Sequence, residues 1–248
     1  MLRMLSYYYH LPVNALRLVL IGVVSFGVPF PILADAIPKV VMQAVSDLEA
    51  DSIEVTPVPN LYLLSFGAQV AYVSGDGRYL LIGDLIEVES GINLAEDKRN
   101  TLRKDIMRGL DESSMVIFSP VEVRSSITIF TDISCPYCVQ LHQEINDLME
   151  AGIQVRYAGY PRAGIPSAAH DILVSVWCAD DPQKAITNAK AGRDIESKTC
   201  DTSIDKHMET AKQISVRGTP TIVLENGEII HGYIPADQLV FRTNAALD

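Results

Sequence analysis

Two cysteines separated by two residues, Cys135-Pro136-Tyr137-Cys138, stand where the sequence changes from the period of a strand to that of a helix. The preceding run, Ser126-Ile127-Thr128-Ile129-Phe130-Thr131, is rich in β-branched and aromatic residues and reads as a buried strand. After Cys138, residues Leu141, Ile145, Leu148 and Met149 fall on one apolar helical face. Gln143, Glu144, Asn146, Asp147 and Glu150 fill the other face, and Gly152 ends the helix. Pro136 suits the first turn, where its missing N–H has no intrahelical partner to lose. Cys135 then falls at or near the N-cap, where unpaired N–H groups and the helix dipole favour thiolate over thiol. Cys138, one turn further in, is expected to be more buried and less acidic. That asymmetry makes Cys135 the attacking thiol and Cys138 the resolving one.

A zinc half-site and a pair of inert core cysteines are the competing interpretations. Zinc takes four ligands, usually from a second Cys-x-x-Cys or a close His pair. Here Cys178 and Cys200 stand alone, and no two histidines lie within five residues of each other. A Cys-x-x-Cys between strand and helix is the pattern of a redox dithiol, so neither metal nor organic cofactor is expected.

Arg3 and Arg17 precede an apolar run over residues 18–30, followed by Pro31 and then Ala34-Asp35-Ala36, a small-x-small cleavage pattern. The segment 1–36 therefore reads as a secretory signal. A membrane anchor is the alternative, but the run is shorter than the ~20 residues needed to span a bilayer. Cleavage would take the formal charge from −11 to −12 by removing Arg3, Arg17 and Asp35. So acidic a chain argues against nucleic acid and anionic membrane surfaces as partners. In an oxidising compartment Cys178 and Cys200 are expected to form a structural disulfide, contributing about 3 kcal/mol if loop entropy dominates. Two separate free thiols are the alternative.

Residues 37–91 read as a helix over 37–50 and short strands at 53–55, 61–66, 69–73, 79–82 and 85–88, punctuated by Pro59-Asn60, Gly67, Gly75-Asp76-Gly77 and Gly83-Asp84. No helix with a lysine follows Gly75-Asp76-Gly77, so that segment is a turn rather than a phosphate loop. A domain of about 55 residues without a disulfide or metal buries little core alone, and homodimerisation is the obvious remedy. Residues 92–111 carry Glu96, Lys98, Arg99, Arg103, Lys104 and Asp105 among sparse apolar positions and read as a solvated linker helix. From residue 112 to 248, strands and helices alternate. The chain ends in strands at 221–224 and 228–231 joined by Asn226-Gly227, read as a type I′ hairpin, and a closing helix at 235–241. This is the α/β layout of a thioredoxin-like catalytic domain, with a helical insertion over 166–215 that holds Cys178 and Cys200.

The segments Phe130 to Cys138, Val155-Arg156-Tyr157 with Tyr160-Pro161-Arg162, Trp177-Cys178-Ala179, and Gly218-Thr219-Pro220 with Asn226-Gly227 and Gly232-Tyr233 resemble the DsbC/DsbG family of periplasmic protein-disulfide isomerases. The similarity extends upstream through Tyr72 to Tyr79 and Gly83-Asp84. It implies a V-shaped homodimer paired through small α+β, cystatin-like N-terminal domains, with misoxidised or unfolded exported proteins as substrates. It also implies a DsbD-type membrane electron donor. By the same resemblance Pro220 is a cis-proline beside the dithiol, and Thr219 offers its backbone to an extended substrate. Tyr137, exposed between the cysteines, either touches substrate or only spaces them. Pro136-Tyr137 matches the DsbG branch, where DsbC typically has Gly-Tyr, while Tyr160-Pro161-Arg162-Ala163-Gly164 leans towards DsbC. A DsbG-like reductase or chaperone and a DsbA-like thiol oxidase are the alternative activities. His142, one turn beyond Cys138, reads as a surface histidine, with an action on thiol protonation as the alternative; His170, His207 and His231 show no partner pattern.

Overall fold

The computed structural model describes residues 37–247; the expected export segment 1–36 lies outside the described residues. The first sheet is antiparallel throughout, in the order β1 (Ser52–Val55), β2 (Leu61–Phe66), β3 (Gln69–Ser74), β4 (Leu80–Leu81). Its two central strands bury both faces, which is why they read as continuous apolar runs rather than alternating ones. Helix α1 (Lys39–Ser46) covers one face, packing Val41 on Tyr62, Leu64 and Val73. Helix α2 (Leu94–Arg108) covers the other through Ala95, which meets Leu63, Val70 and Tyr72. Residues 85–88, expected as a strand, form only an isolated bridge between Ile86 and Asn93.

Helix α2 is capped by Asn93, whose Oδ1 accepts from the Glu96 N–H at 3.1 Å. It is more than a hydrated spacer. Leu102, Ile106 and Met107 pack against a cluster that includes Phe130, Ala158, Ala211, Ile214 and Val223 of the second sheet and its helices. Arg103, only 7% exposed, is held by Glu96 at 2.7 Å and Asn100 Oδ1 at 2.8 Å. The charge run thus has a buried member that periodicity alone did not separate from the exposed ones.

The second sheet runs in the order β5 (Val116–Phe118), β7 (Ile153–Gly159), β6 (Ser125–Thr131), β8 (Thr221–Leu224), β9 (Ile229–His231). Only β6 and β7 are parallel, joined by the crossover helices α3 (Pro136–Gln143) and α4 (Ile145–Glu150). All seven residues of β6 are buried, so this strand is the spine of the domain and its C-terminal end is fixed from both sides. The expected single helix after Cys138 is broken at Glu144. There the carboxylate turns to accept from the Tyr233 hydroxyl and from the Ala236 N–H at 2.6 Å, capping α8 (Ala236–Ala245). Between β7 and β8 lie α5 (Ala168–Trp177), α6 (Pro182–Lys190) and α7 (Ile204–Gln213). The β8–β9 pair is antiparallel, but its turn is not type I′. Gly227 N–H bonds Leu224 O and only Gly227 has positive φ (90°), a three-residue loop with a bulge at the glycine. A Cβ at Gly227 would fall 1.9 Å from Asn100 O, so this turn is pressed against α2.

Two histidines are core elements rather than surface ones. His207 is fully buried; its Nδ1 accepts from the Gly159 N–H at 3.1 Å and its Nε2 meets Ser114 Oγ at 3.1 Å. Charging the ring would put a proton on Nδ1 against that N–H, and burial pushes its pKa down to about 4. The unfolded histidine binds its proton near 6.5, so between those values the unfolded state holds more protons and stability falls as pH drops. Denaturant midpoints should show this: wild type loses on the order of 2–3 kcal/mol from this residue between pH 7 and 4. His207→Gln should flatten that part of the profile; an unchanged pH dependence would exclude the buried neutral ring.

Candidate active site

The last residue of β6, Thr131, is followed by Asp132, whose carboxylate is buried although its pKa is low. Burial pushes it up, but hydrogen bonds to the charged form outweigh that cost. Oδ1 accepts from Ser134 N–H at 2.7 Å and Ser134 Oγ at 2.8 Å; Oδ2 accepts from Arg162 N–H at 2.9 Å and Arg162 Nε at 3.2 Å. This anchor ties the loop after β6 to the loop after β7. It sets the chain to enter α3 with Cys135 at the N-cap and Pro136 at the first helical position.

The opposite wall comes from the segment before β8. The Thr219–Pro220 peptide is cis, and the Cys135 thiol donates to the Thr219 carbonyl at 3.2 Å. Thr219 Oγ1 is buried with no hydrogen-bond partner among the described residues, and its hydroxyl lies near enough to the two sulfurs to favour their thiolates. Tyr137 is 61% exposed at the rim. Cys135, Cys138, Thr219 and Pro220 therefore converge on one site with Tyr137 at its edge. Cys178 and Cys200 lie elsewhere, joined at 2.00 Å, linking the end of α5 to the loop before α7.

Both residues are only 1% exposed, yet Cys138 lies deeper in the fold, as expected of the residue one turn further in. Their acidities diverge. Burial raises the Cys135 thiol, but the Thr219 hydroxyl, the Cys138 N–H and thiol, and the Arg162 guanidinium together bring it below the ordinary thiol value. For Cys138 burial wins, and its thiol stays above that value despite Lys190 nearby. The separation of roles rests on the deeper burial of Cys138 together with the partners that favour a thiolate on Cys135.

Beneath the pair lies a polar layer. His142 is 6% exposed: its Nδ1 meets the Tyr157 hydroxyl and its Nε2 meets Thr187 Oγ1, both at 3.0 Å. Thr187 donates its own proton to Gln183 O, so Nε2 is the N–H and Nδ1 accepts from Tyr157. Burial keeps the ring neutral, with a pKa near 4, and keeps Tyr157 protonated. Lys190 is buried in the same layer.

Asp132, Arg162, Thr131 and Lys190 received no role from the sequence. Asp132 had a local signal, an Asp two residues before Ser134 in a turn. Lys190 had none, being 52 positions from Cys138. Among the described residues no group of three or more His, Cys, Asp or Glu is placed to hold a metal, and no helix is long and apolar enough to cross a membrane.

Residues 114–245 match the thioredoxin-like domain family, and residues 33–96 match the disulfide bond isomerase protein N-terminal domain. The chain is 36% identical over 188 residues to the thiol:disulfide interchange protein DsbC of Salmonella typhimurium, covering 75% of this chain and 77% of that protein. It is 31% identical over 194 residues to DsbC of Escherichia coli K12 (77% and 80% covered) and 32% identical over 200 residues to DsbC of Dickeya dadantii (80% and 82%).

Arg162→Ala should raise the Cys135 pKa. Alkylation of Cys135 at pH 6 should slow about two- to fivefold, as suits a half-exposed charge. Arg162→Lys should recover part of the rate. An unshifted pH profile in Arg162→Ala would remove the guanidinium from the account.

Proposed function

Because this chain belongs to the DsbC family of thiol:disulfide interchange proteins, we propose that it is a periplasmic disulfide isomerase and reductase acting on exported proteins through Cys135 and Cys138. The observation that carries this reading is a Cys-x-x-Cys pair at a helix N-terminus, with the Cys135 thiol on the Thr219 carbonyl beside the cis Thr219–Pro220 peptide. A substrate segment lying extended along Thr219 brings its disulfide to Cys135. The Cys135 thiolate attacks one substrate sulfur; the Cys135–S bond forms as the substrate S–S bond breaks, and the other sulfur leaves as thiolate and takes up a proton. If another substrate thiolate then attacks the captured sulfur, Cys135 is released and the disulfide has moved with no net change in oxidation. If Cys138 attacks Cys135 instead, the substrate is reduced and the oxidised pair needs a DsbD-type donor to return it to the dithiol. We assign the structural disulfide to Cys178–Cys200, substrate contact to Tyr137, Thr219 and Pro220, and export to residues 1–36.

Homodimerisation belongs to the same proposal. Strand β4 is the edge of the first sheet, and Leu80, Leu81, Ile82, Ile86 and Val88 are all exposed there, Val88 at 95%. An edge strand flanked by exposed aliphatic side chains is suited to pairing with its own copy. A dimer would place two dithiols around one substrate, which suits isomerisation better than the DsbA-like oxidase for which Pro136 alone would serve.

Cys138→Ala should accumulate mixed disulfides with exported proteins while retaining much of the reshuffling of a scrambled substrate; adding Cys135→Ser should abolish both. Leu81→Asp with Ile82→Asp should sediment as a monomer and lose reshuffling before reduction. Adducts that persist without Cys135, or a monomeric wild type, would contradict the proposal.

A further inference from the structure

The helical insertion brings one charged side chain under the dithiol, and the exchange chemistry described above makes no use of it. Lys190, in the last turn of α6, is 5% exposed. Its Nζ donates to Thr131 Oγ1 at 2.8 Å and to the Cys138 carbonyl at 3.4 Å, and lies 5.5 Å from the centre of the Tyr157 ring. Among the described residues no carboxylate comes within ion-pair distance of it. A buried ammonium without a counter-ion is unfavourable, and burial brings its pKa down to about 8, against the upward pull of Cys138, Cys135 and Asp132.

The groups facing Lys190 narrow what it can exchange protons with. From α3 come Cys135, Cys138 and His142; from β6 and the loop after it, Thr131 and Asp132; from β7, Tyr157; from α6 itself, Thr187. His142 is neutral, Tyr157 protonated and Asp132 ionised at neutral pH. Only the two thiols change charge in the range where Lys190 does. Thr131 connects it to one of them, because its hydroxyl accepts from Lys190 and lies near enough to Cys138 to favour the thiolate there, while Lys190 Nζ also reaches the Cys138 carbonyl. On its other side Lys190 lines a cleft of about 290 Å³ with Val139, His142 and Thr187, which gives a proton a way out.

We propose that Lys190 takes the proton of Cys138 through Thr131 Oγ1 in the step in which Cys138 resolves a Cys135–substrate disulfide. The inference rests on the assignment of Cys135 as attacking and Cys138 as resolving thiol. The Cys138 proton passes to Thr131 Oγ1 as the Thr131 hydroxyl proton passes to neutral Lys190 Nζ. The Cys138 thiolate attacks Cys135 Sγ, the Cys135–Cys138 bond forms, and the bond from Cys135 to the substrate sulfur breaks. That sulfur leaves with the bonding pair and is protonated by solvent; the substrate has gained two electrons and the dithiol has lost two. Lys190 returns its proton to water through the cleft. As a positioning residue for the proton, it governs how often the enzyme escapes by reduction rather than waiting for a substrate thiol.

The test is single-turnover kinetics of the full reduced chain with a peptide activated as a fluorescent mixed disulfide, between pH 6 and 10. Capture by Cys135 is the first phase and release by Cys138 the second. Wild-type release should accelerate with pH through about 8. Lys190→Met and Lys190→Gln should slow release at pH 7.5 at least about tenfold and lose that inflection, with capture changed less than about twofold. Lys190→Gln keeps a donor to Thr131 and so decides the matter if Lys190→Met does not fold; Thr131→Val should also slow release with Lys190 in place. Wild-type release and pH profile in folded Lys190→Gln would overturn the proposal. Capture that survives Cys135→Ser would instead overturn the assignment of the two thiols, so the two failures are distinguishable.

Discussion

The site depends on one buried carboxylate. Asp132 sits where the central strand β6 ends, and four hydrogen bonds, two from Ser134 and two from Arg162, hold it ionised out of solvent. Those bonds fix the loop leading into α3, which puts Cys135 at the helix N-cap, and they hold the Arg162 guanidinium beside its sulfur. Because Arg162 is half-exposed, losing it costs less than breaking a fully buried pair, but it leaves the carboxylate with only the Ser134 bonds. The sheet supplies rigidity and the carboxylate converts it into a position for one thiol.

Around that anchor the protein divides its polar groups between two sides of the dithiol. Towards solvent, Thr219, Arg162 and the helix N-terminus favour a thiolate on Cys135. Towards the interior, His142, Tyr157 and Thr187 form one hydrogen-bonded set and Lys190 with Thr131 another, the two meeting where Lys190 lies over the Tyr157 ring. Buried hydrogen-bonded groups of this kind specify geometry that an apolar core would not, since a rotation at one member unsatisfies its partner. The helical insertion is what brings Lys190 there, and its Cys178–Cys200 bridge closes the loop that contains α6.

Much of this was legible in the sequence because it is local. The switch of period at Cys135, the position of Pro136, the runs that became β2, β3, β6 and β8, and the glycine after Asn226 each carry their signal within a few residues. What escaped was set by tertiary contact. The helix after Cys138 looked continuous because Ile145 and Leu148 keep its apolar period, and only the reach of Glu144 to Ala236 explains the break. His142 looked like a surface residue and His207 showed no partner because Tyr157 and Gly159, which they meet, lie on β7, far from both helices in sequence. The type I′ turn expected for Asn226-Gly227 gave way to a bulged loop that fits against α2. Lys190 and Arg103 show the same limit: a lone charge in a polar run is normally solvated, and nothing short of the packed structure marks it as buried.

The central claim is that two thiols shielded from water differ in acidity because Cys138 is the more deeply buried and Cys135 has the partners that favour its thiolate. Titrating the full-length reduced protein with its cysteine Cβ carbons labelled, and following both resonances by NMR between pH 4 and 11, tests it directly. The account predicts that Cys135 ionises first, below the ordinary thiol value, and Cys138 above it. Ionisation of both at the same pH, or of Cys138 first, would contradict it.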